Sequence, residues 1–102
     1  MKVSYSIYEQ GDDILLAACD KDLLGATLEE GEIHLEIKEN FYGGQVIDVE
    51  SNKKALHSSF ERATIANLVG DTVIDSALEA GFGSEDDIMR LNGIPHLQIV
   101  RI

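Results

Sequence analysis

At 102 residues the chain has the size of one small domain, and its 44% hydrophobic content suffices for a core without metal or disulfide staples. Cys19 is the single cysteine, which excludes an internal disulfide and fits a reducing compartment. Nineteen acidic residues against eight basic ones leave a net charge of −11, which opposes binding to naked nucleic acid or anionic lipid.

Along the chain, "KVSYSIY" (2–8) alternates with Val3, Tyr5 and Ile7 on one face, the signature of a half-buried strand. A polar turn at Gly11 leads to "ILLAAC" (14–19), a continuous apolar run read as a central strand, and the two segments make a hairpin. "DKDLLGATLEEGE" breaks the strand pattern; Asp20 can cap a short helical turn that Gly25 ends. "EIHLEIKENF" (32–41) alternates again, with Ile33, Leu35 and Ile37 on one face. Paired with "QVIDV" it implies a second hairpin turning at Gly43-Gly44, where glycine suits positive φ. Phe41 then anchors that turn in the core, and alternation sends Tyr42 outward.

From Ser51 the period becomes helical. Ser51 as N-cap starts a helix running to Asn67 or beyond, with Leu56, Phe60, Ala63 and Asn67 on adjacent positions and Gly70 as its stop. Asp71 caps a second helix, with Val73, Ile74, Ala77 and Leu78 inward and Gly81 at its end. "SEDD" from Ser84 starts a short third helix. "HLQIVRI" closes the chain as a strand that includes Ile102. Strands, then helices, then a strand describe a single α+β domain over residues 1–102: a small mixed, mainly antiparallel sheet packed on two or three helices. There is no run of about 18 apolar residues, and the N-terminus turns acidic before any apolar stretch, so the expected location is the cytoplasm.

Chemistry-bearing residues are few. A nucleophilic Cys19 needs a nearby base and an electropositive setting, yet His34, His57 and His96 are all distant in sequence. The plain reading is a packed thiol beside a capping Asp20. No C-x-x-C pair occurs, and zinc would require those histidines and Cys19 to converge; neither metal nor cofactor is expected. Asn67 is an odd choice inside an apolar helix: it either ties the helix to a neighbouring backbone or aims into a pocket. "NGIPHLQ" (92–98) puts His96 and Gln98 on one strand face, able to meet a base edge, a carboxylate or a partner backbone, or simply water. An outward Tyr42 beside bare glycine backbone offers a stacking platform. Lys53, Lys54 and Arg62 form one local basic strip on the first helix, unless neighbouring acids balance them.

Taken together, "AACDKDLLG" (17–25), "FYGG" (41–44), "ATIANLVG" (63–70) and "GIPHLQ" (93–98) resemble, in order and spacing, the archaeal family called domain of unknown function 424. Leu97 departs from the small residue expected at that position, which bears only on local packing. The resemblance implies an archaeal cytosolic protein associated with translation or RNA metabolism; it supplies no activity, cofactor or catalytic residue. A salty cytosol would also account for the dispersed acids.

The sequence therefore points to a non-catalytic binding module. Its candidate contact residues are Tyr42, Asn67, His96, Gln98, Lys53, Lys54 and Arg62. Its expected partner is a basic protein or a ribonucleoprotein of the translation machinery rather than naked RNA. The rival is a small enzyme or ligand-binding protein with a pocket near Cys19, Asp20, Asn67 and His96. No triad, phosphate loop or metal spacing accompanies those residues.

Overall fold

The computed structural model describes residues 1–101; Ile102, placed by periodicity in the closing strand, lies outside the described residues. Strands β1 (Lys2–Gln10) and β2 (Asp13–Asp20) form the expected hairpin around Gly11, with Val3 opposite Asp20 and Gln10 opposite Asp13. A 3-10 turn (Lys21–Leu23) leads into a small hairpin of β3 (Thr27–Glu30) and β4 (Ile33–Glu36). One helical turn, α1 (Glu39–Tyr42), precedes β5 (Gln45–Asp48). Helix α2 (Lys53–Arg62), strand β6 (Ile65–Val69) and helix α3 (Asp71–Glu79) follow. A 3-10 turn (Glu85–Asp87) and strands β7 (Met89–Leu91) and β8 (Ile94–Val100) complete the chain.

The six-stranded sheet has the order β5-β1-β2-β6-β8-β7. Among the described residues only β2 and β6 run parallel, and α2 provides part of the connection that parallel pairing requires. Period-2 alternation divides the side chains between two layers. On one face Val3, Tyr5, Leu16, Ala18, Leu68 and Leu97 pack under α2 and α3, which contribute Leu56, Phe60, Val73, Ile74 and Ala77. On the other, Ala17, Cys19, Val69 and Leu91 pack under Leu28 of β3, Ile37 and Tyr42. The central strand β2 is thus covered on both sides, which explains its continuous apolar run. The fold is α+β, as expected. No helix among the described residues is long and apolar enough to cross a membrane.

Several boundaries differ from the sequence reading. The alternating segment stays extended only over Ile33–Glu36, and it pairs with β3, inside the stretch read as a break. Residues 39–42 are helical, so Gly43-Gly44 do not turn a hairpin; β5 pairs with β1 instead. Gly43 has φ −77°, and neither glycine has positive φ. They are needed for close approach: a Cβ on Gly43 would run into the Glu39 carbonyl, and one on Gly44 would lie 2.5 Å from the Tyr5 carbonyl oxygen. The first helix begins at Lys53 after Asn52 rather than Ser51, and ends at Arg62. "IANLV" is a strand, because a short apolar run has no period that separates buried strand from buried helix. Ser84 does accept from the Asp86 amide, but that start extends only one 3-10 turn.

Candidate functional site

Three cross-strand rows define the sheet face opposite α2 and α3. The first joins Ser4, Cys19, Val69, His96 and Met89; the second Ser6, Ala17, Asn67 and Gln98; the third Tyr8, Leu15, Ile65 and Val100. The β3–β4 hairpin and α1 close over Cys19 and Val69. The third row stays open: Leu15 and Ile65 are half-buried, Tyr8 is 36% exposed and Val100 70%. Asn67 lies between the covered and open parts.

Tyr42 descends onto this boundary. Its side chain is 2% exposed, not outward, because helical geometry at α1 replaces the alternation that was assumed for a strand. Its phenol donates to Asn67 Oδ1 at 2.7 Å, and His96 Nε2 lies 3.0 Å from the same oxygen. An amide oxygen accepts twice, so neutral His96 carries its proton on Nε2 and leaves Nδ1 as an acceptor. Burial lowers the His96 pKa and favours that neutral form. Burial, with Cys19 adding to it, pushes the Tyr42 phenol up to about 12, so it remains a donor. Gln98, the cross-strand partner of Asn67, is exposed beside the pair.

Two anchors fix Tyr42. Ser4 Oγ donates to the Tyr42 carbonyl at 3.0 Å and Ser6 Oγ to the Gly43 carbonyl at 2.5 Å. Tyr8 OH donates to the Phe41 carbonyl at 2.6 Å while its ring stacks on Phe41 at 5.6 Å, 9° from parallel. Phe41 is therefore a half-buried lid on Tyr8 rather than a core anchor. Sequence reasoning missed Tyr8 and the open row; the signal was present, since the alternation that turns Val3 and Tyr5 inward turns Ser4, Ser6 and Tyr8 to this face.

Cys19 and Asp20, two of the residues on which the enzyme reading rested, are committed to structure. Cys19 is fully buried, and burial, aided by the charges of Asp20 and Asp22, pushes its thiol up to about 12. Such a thiol is a packed hydrophobe, not a nucleophile. Asp20 sits at the N-cap position of the 3-10 turn but does not cap it. Its carboxylate accepts from the Thr72 and Val73 amides at 3.0 and 2.9 Å, capping α3 from a neighbouring strand. Desolvation raises its pKa, and those amide bonds oppose the shift. Among the described residues no three His, Cys, Asp or Glu side chains gather to hold a metal; His34 pairs with Glu29 on the small hairpin and His57 lies on α2.

The seven candidate contact residues fall on two sides of the sheet. Tyr42, Asn67, His96 and Gln98 converge on one face. Lys53, Lys54 and Arg62 belong to α2 on the other, where Lys53 pairs with Glu79 and Arg62 with Glu9 at 3.1 Å. Two of the three cations are thus balanced by acids, and Lys54 is exposed.

Among curated proteins, none matches the chain. The crystal structure of an uncharacterized conserved protein from Methanopyrus kandleri is similar with a TM-score of 0.81 and 30% identity, over 100% of this chain and 95% of that one. The model of the family described as "Protein of unknown function (DUF424)" matches residues 8–102, a span holding Cys19, Tyr42, Asn67 and His96. The chain belongs to the DUF424 family.

Proposed function

We propose that this chain is a non-catalytic binding module that docks a basic protein, or a ribonucleoprotein of the translation machinery, on the half-open sheet face around Asn67. The observation that carries the reading is the division of labour among its polar groups. Cys19 and Asp20 are spent on packing and helix capping, while Tyr42 and His96 hold the Asn67 amide at the edge of an exposed apolar row. An amide fixed from behind presents its NH2 group with little entropy left to lose, which suits recognition. The row from Tyr8 to Val100 supplies apolar area, and Gln98 a polar rim.

The charge of −11 favours a cationic partner and speeds its encounter. The translation context comes from the family resemblance, and a cytoplasmic location accords with the lone buried thiol. The test is affinity capture from an archaeal lysate, with and without nuclease, comparing wild type with the His96→Ala/Gln98→Ala variant. Retention of a discrete basic protein or particle by wild type, lost in the variant and resistant to nuclease, supports the reading. Equal retention by both proteins refutes this surface.

A further inference from the structure

Strand β1 has 9 residues, but its outer neighbour β5 covers only Lys2–Tyr5. Among the described residues, Ser6–Gln10 therefore has β2 on one side and no strand on the other. The direction of its backbone groups follows from its neighbours. The Met1 carbonyl accepts from the Val49 amide just past β5, and the Tyr5 carbonyl faces Gly44. Odd-numbered residues of β1 thus direct their amide and carbonyl away from β2. At Ile7 and Glu9 those groups reach an open edge, with no backbone partner beyond the strand among the described residues. A cleft of about 630 Å³ lies there, bounded by Ile7, Gln45 and the α2 residues Ala55, Ser58 and Arg62.

We propose that this notch takes an extended, cationic peptide segment of a partner, which adds as a strand collinear with β5. The geometry calls for an extended backbone, because only a strand meets the paired donors and acceptors of Ile7 and Glu9. Charge selects the sequence. Among the described residues Arg62 is the one charged side chain lining the notch and is already paired with Glu9, while exposed Asp12 lies in the turn that ends β1; the net charge of −11 then favours a cationic segment. A second copy of this chain is disfavoured as occupant, since it would bring another net charge of −11 and its own Glu9 to the same edge. The notch lies at the free edge of β1, with Ser6 and Tyr8 of the Asn67 face on one lip and α2 on the other; the groups it offers are the Ile7 and Glu9 backbone, not Asn67.

The probe is a blocked pentapeptide, Lys-Val-Lys-Val-Lys, titrated to about 1 mM against the full chain labelled with 15N. Expected are saturable shifts centred on Ile7 and Glu9, with those two amides gaining protection from hydrogen exchange. The glutamate counterpart, Glu-Val-Glu-Val-Glu, should not bind. Ile7→Pro removes one outward donor and should weaken binding about tenfold. Should that variant not fold, N-methylation of the peptide at its ladder-forming amides serves instead, and should abolish the shifts. Absence of saturable shifts, shifts confined to Asn67 and Gln98, or undiminished binding of the N-methylated peptide would overturn the proposal. So would self-association of the free chain through Ile7 and Glu9, which would make a second copy the occupant.

Discussion

Tyr42 and Asn67 are 25 residues apart in sequence and share a 2.7 Å hydrogen bond that ties a single helical turn to a central strand. That bond explains two residues that the sequence made conspicuous for other reasons. Asn67 is tolerated among buried aliphatic side chains because its oxygen receives two donors. Tyr42 is buried because its hydroxyl has an acceptor to reach. Removing only the hydroxyl isolates the contribution. Tyr42→Phe should lower unfolding free energy by about 1 kcal/mol, whereas Tyr42→Ala should cost about 3–5 kcal/mol through the cavity it leaves. Urea unfolding of both variants checks the pair; equal losses would show that the hydrogen bond contributes nothing measurable.

His96 gives the same cluster a pH dependence. Burial holds its folded pKa below the ordinary 6.5, so between the two values the unfolded chain binds more protons than the folded one. Stability from this group is complete above about pH 6.5 and is lost as pH falls through the folded value. A carbon-bound proton NMR titration should place His96 below 6.5, and His96→Ala should flatten the stability profile across that window.

Asp20 and Gly70 form a second tight relationship. Gly70 precedes α3 with φ 116°, and a Cβ there would lie 2.7 Å from both Asp20 carboxylate oxygens. Gly70→Ala should cost about 1–3 kcal/mol from backbone strain and collision. Asp20→Ala should cost about 1–2 kcal/mol by stripping the cap from α3. Thermal melts of the two variants would measure these losses, and an unchanged midpoint for Asp20→Ala would remove the cap from the account.

Gly43 and Gly44 are expected to resist substitution because of crowding. Gly44→Val drives a side chain into Ser6 and the Tyr5 carbonyl, and Gly43→Val into the Glu39 carbonyl. Each should lose about 1–3 kcal/mol, read by chemical denaturation. Wild-type stability in both variants would contradict the close approach.

A thiol raised to about 12 and fully buried should be inert. Native-state alkylation of Cys19 by iodoacetamide at neutral pH should proceed no faster than the opening that exposes it, and should accelerate when denaturant promotes unfolding. Labelling at the rate of an activated thiol would return the enzyme reading to consideration.

The first hairpin, β5, α3 and β8 were legible because their apolar spacing is regular and bounded by turn residues. The Schellman-type end of α3, where Gly81 and Phe82 amides bond back to Leu78 and Ala77, matches its glycine signal. What misled was local pattern under tertiary control. The alternation of residues 32–41 continued past Glu36, yet residues 39–42 form a helical turn that buries Tyr42 in the Cys19 cluster. The run at 63–69 carried no usable period, and Asn67 gave no hint of strand because its partners come from α1 and β8. The convergence of Tyr42, Asn67 and His96 depended on pairings between distant segments, which spacing alone does not encode. The balance of Lys53 and Arg62 by Glu79 and Glu9 was likewise a matter of three-dimensional neighbours.

A partner docked on the Asn67 side of the sheet would touch Gln98. Gln98 and Lys54 are both exposed and lie on opposite layers, so they make a matched pair of probes. A photo-crosslinking phenylalanine analogue placed at position 98 or at position 54, irradiated in archaeal lysate after nuclease treatment, reports which layer the partner touches. Expected is a discrete basic-protein adduct from position 98. An adduct from position 54 with none from position 98 would contradict docking on that side.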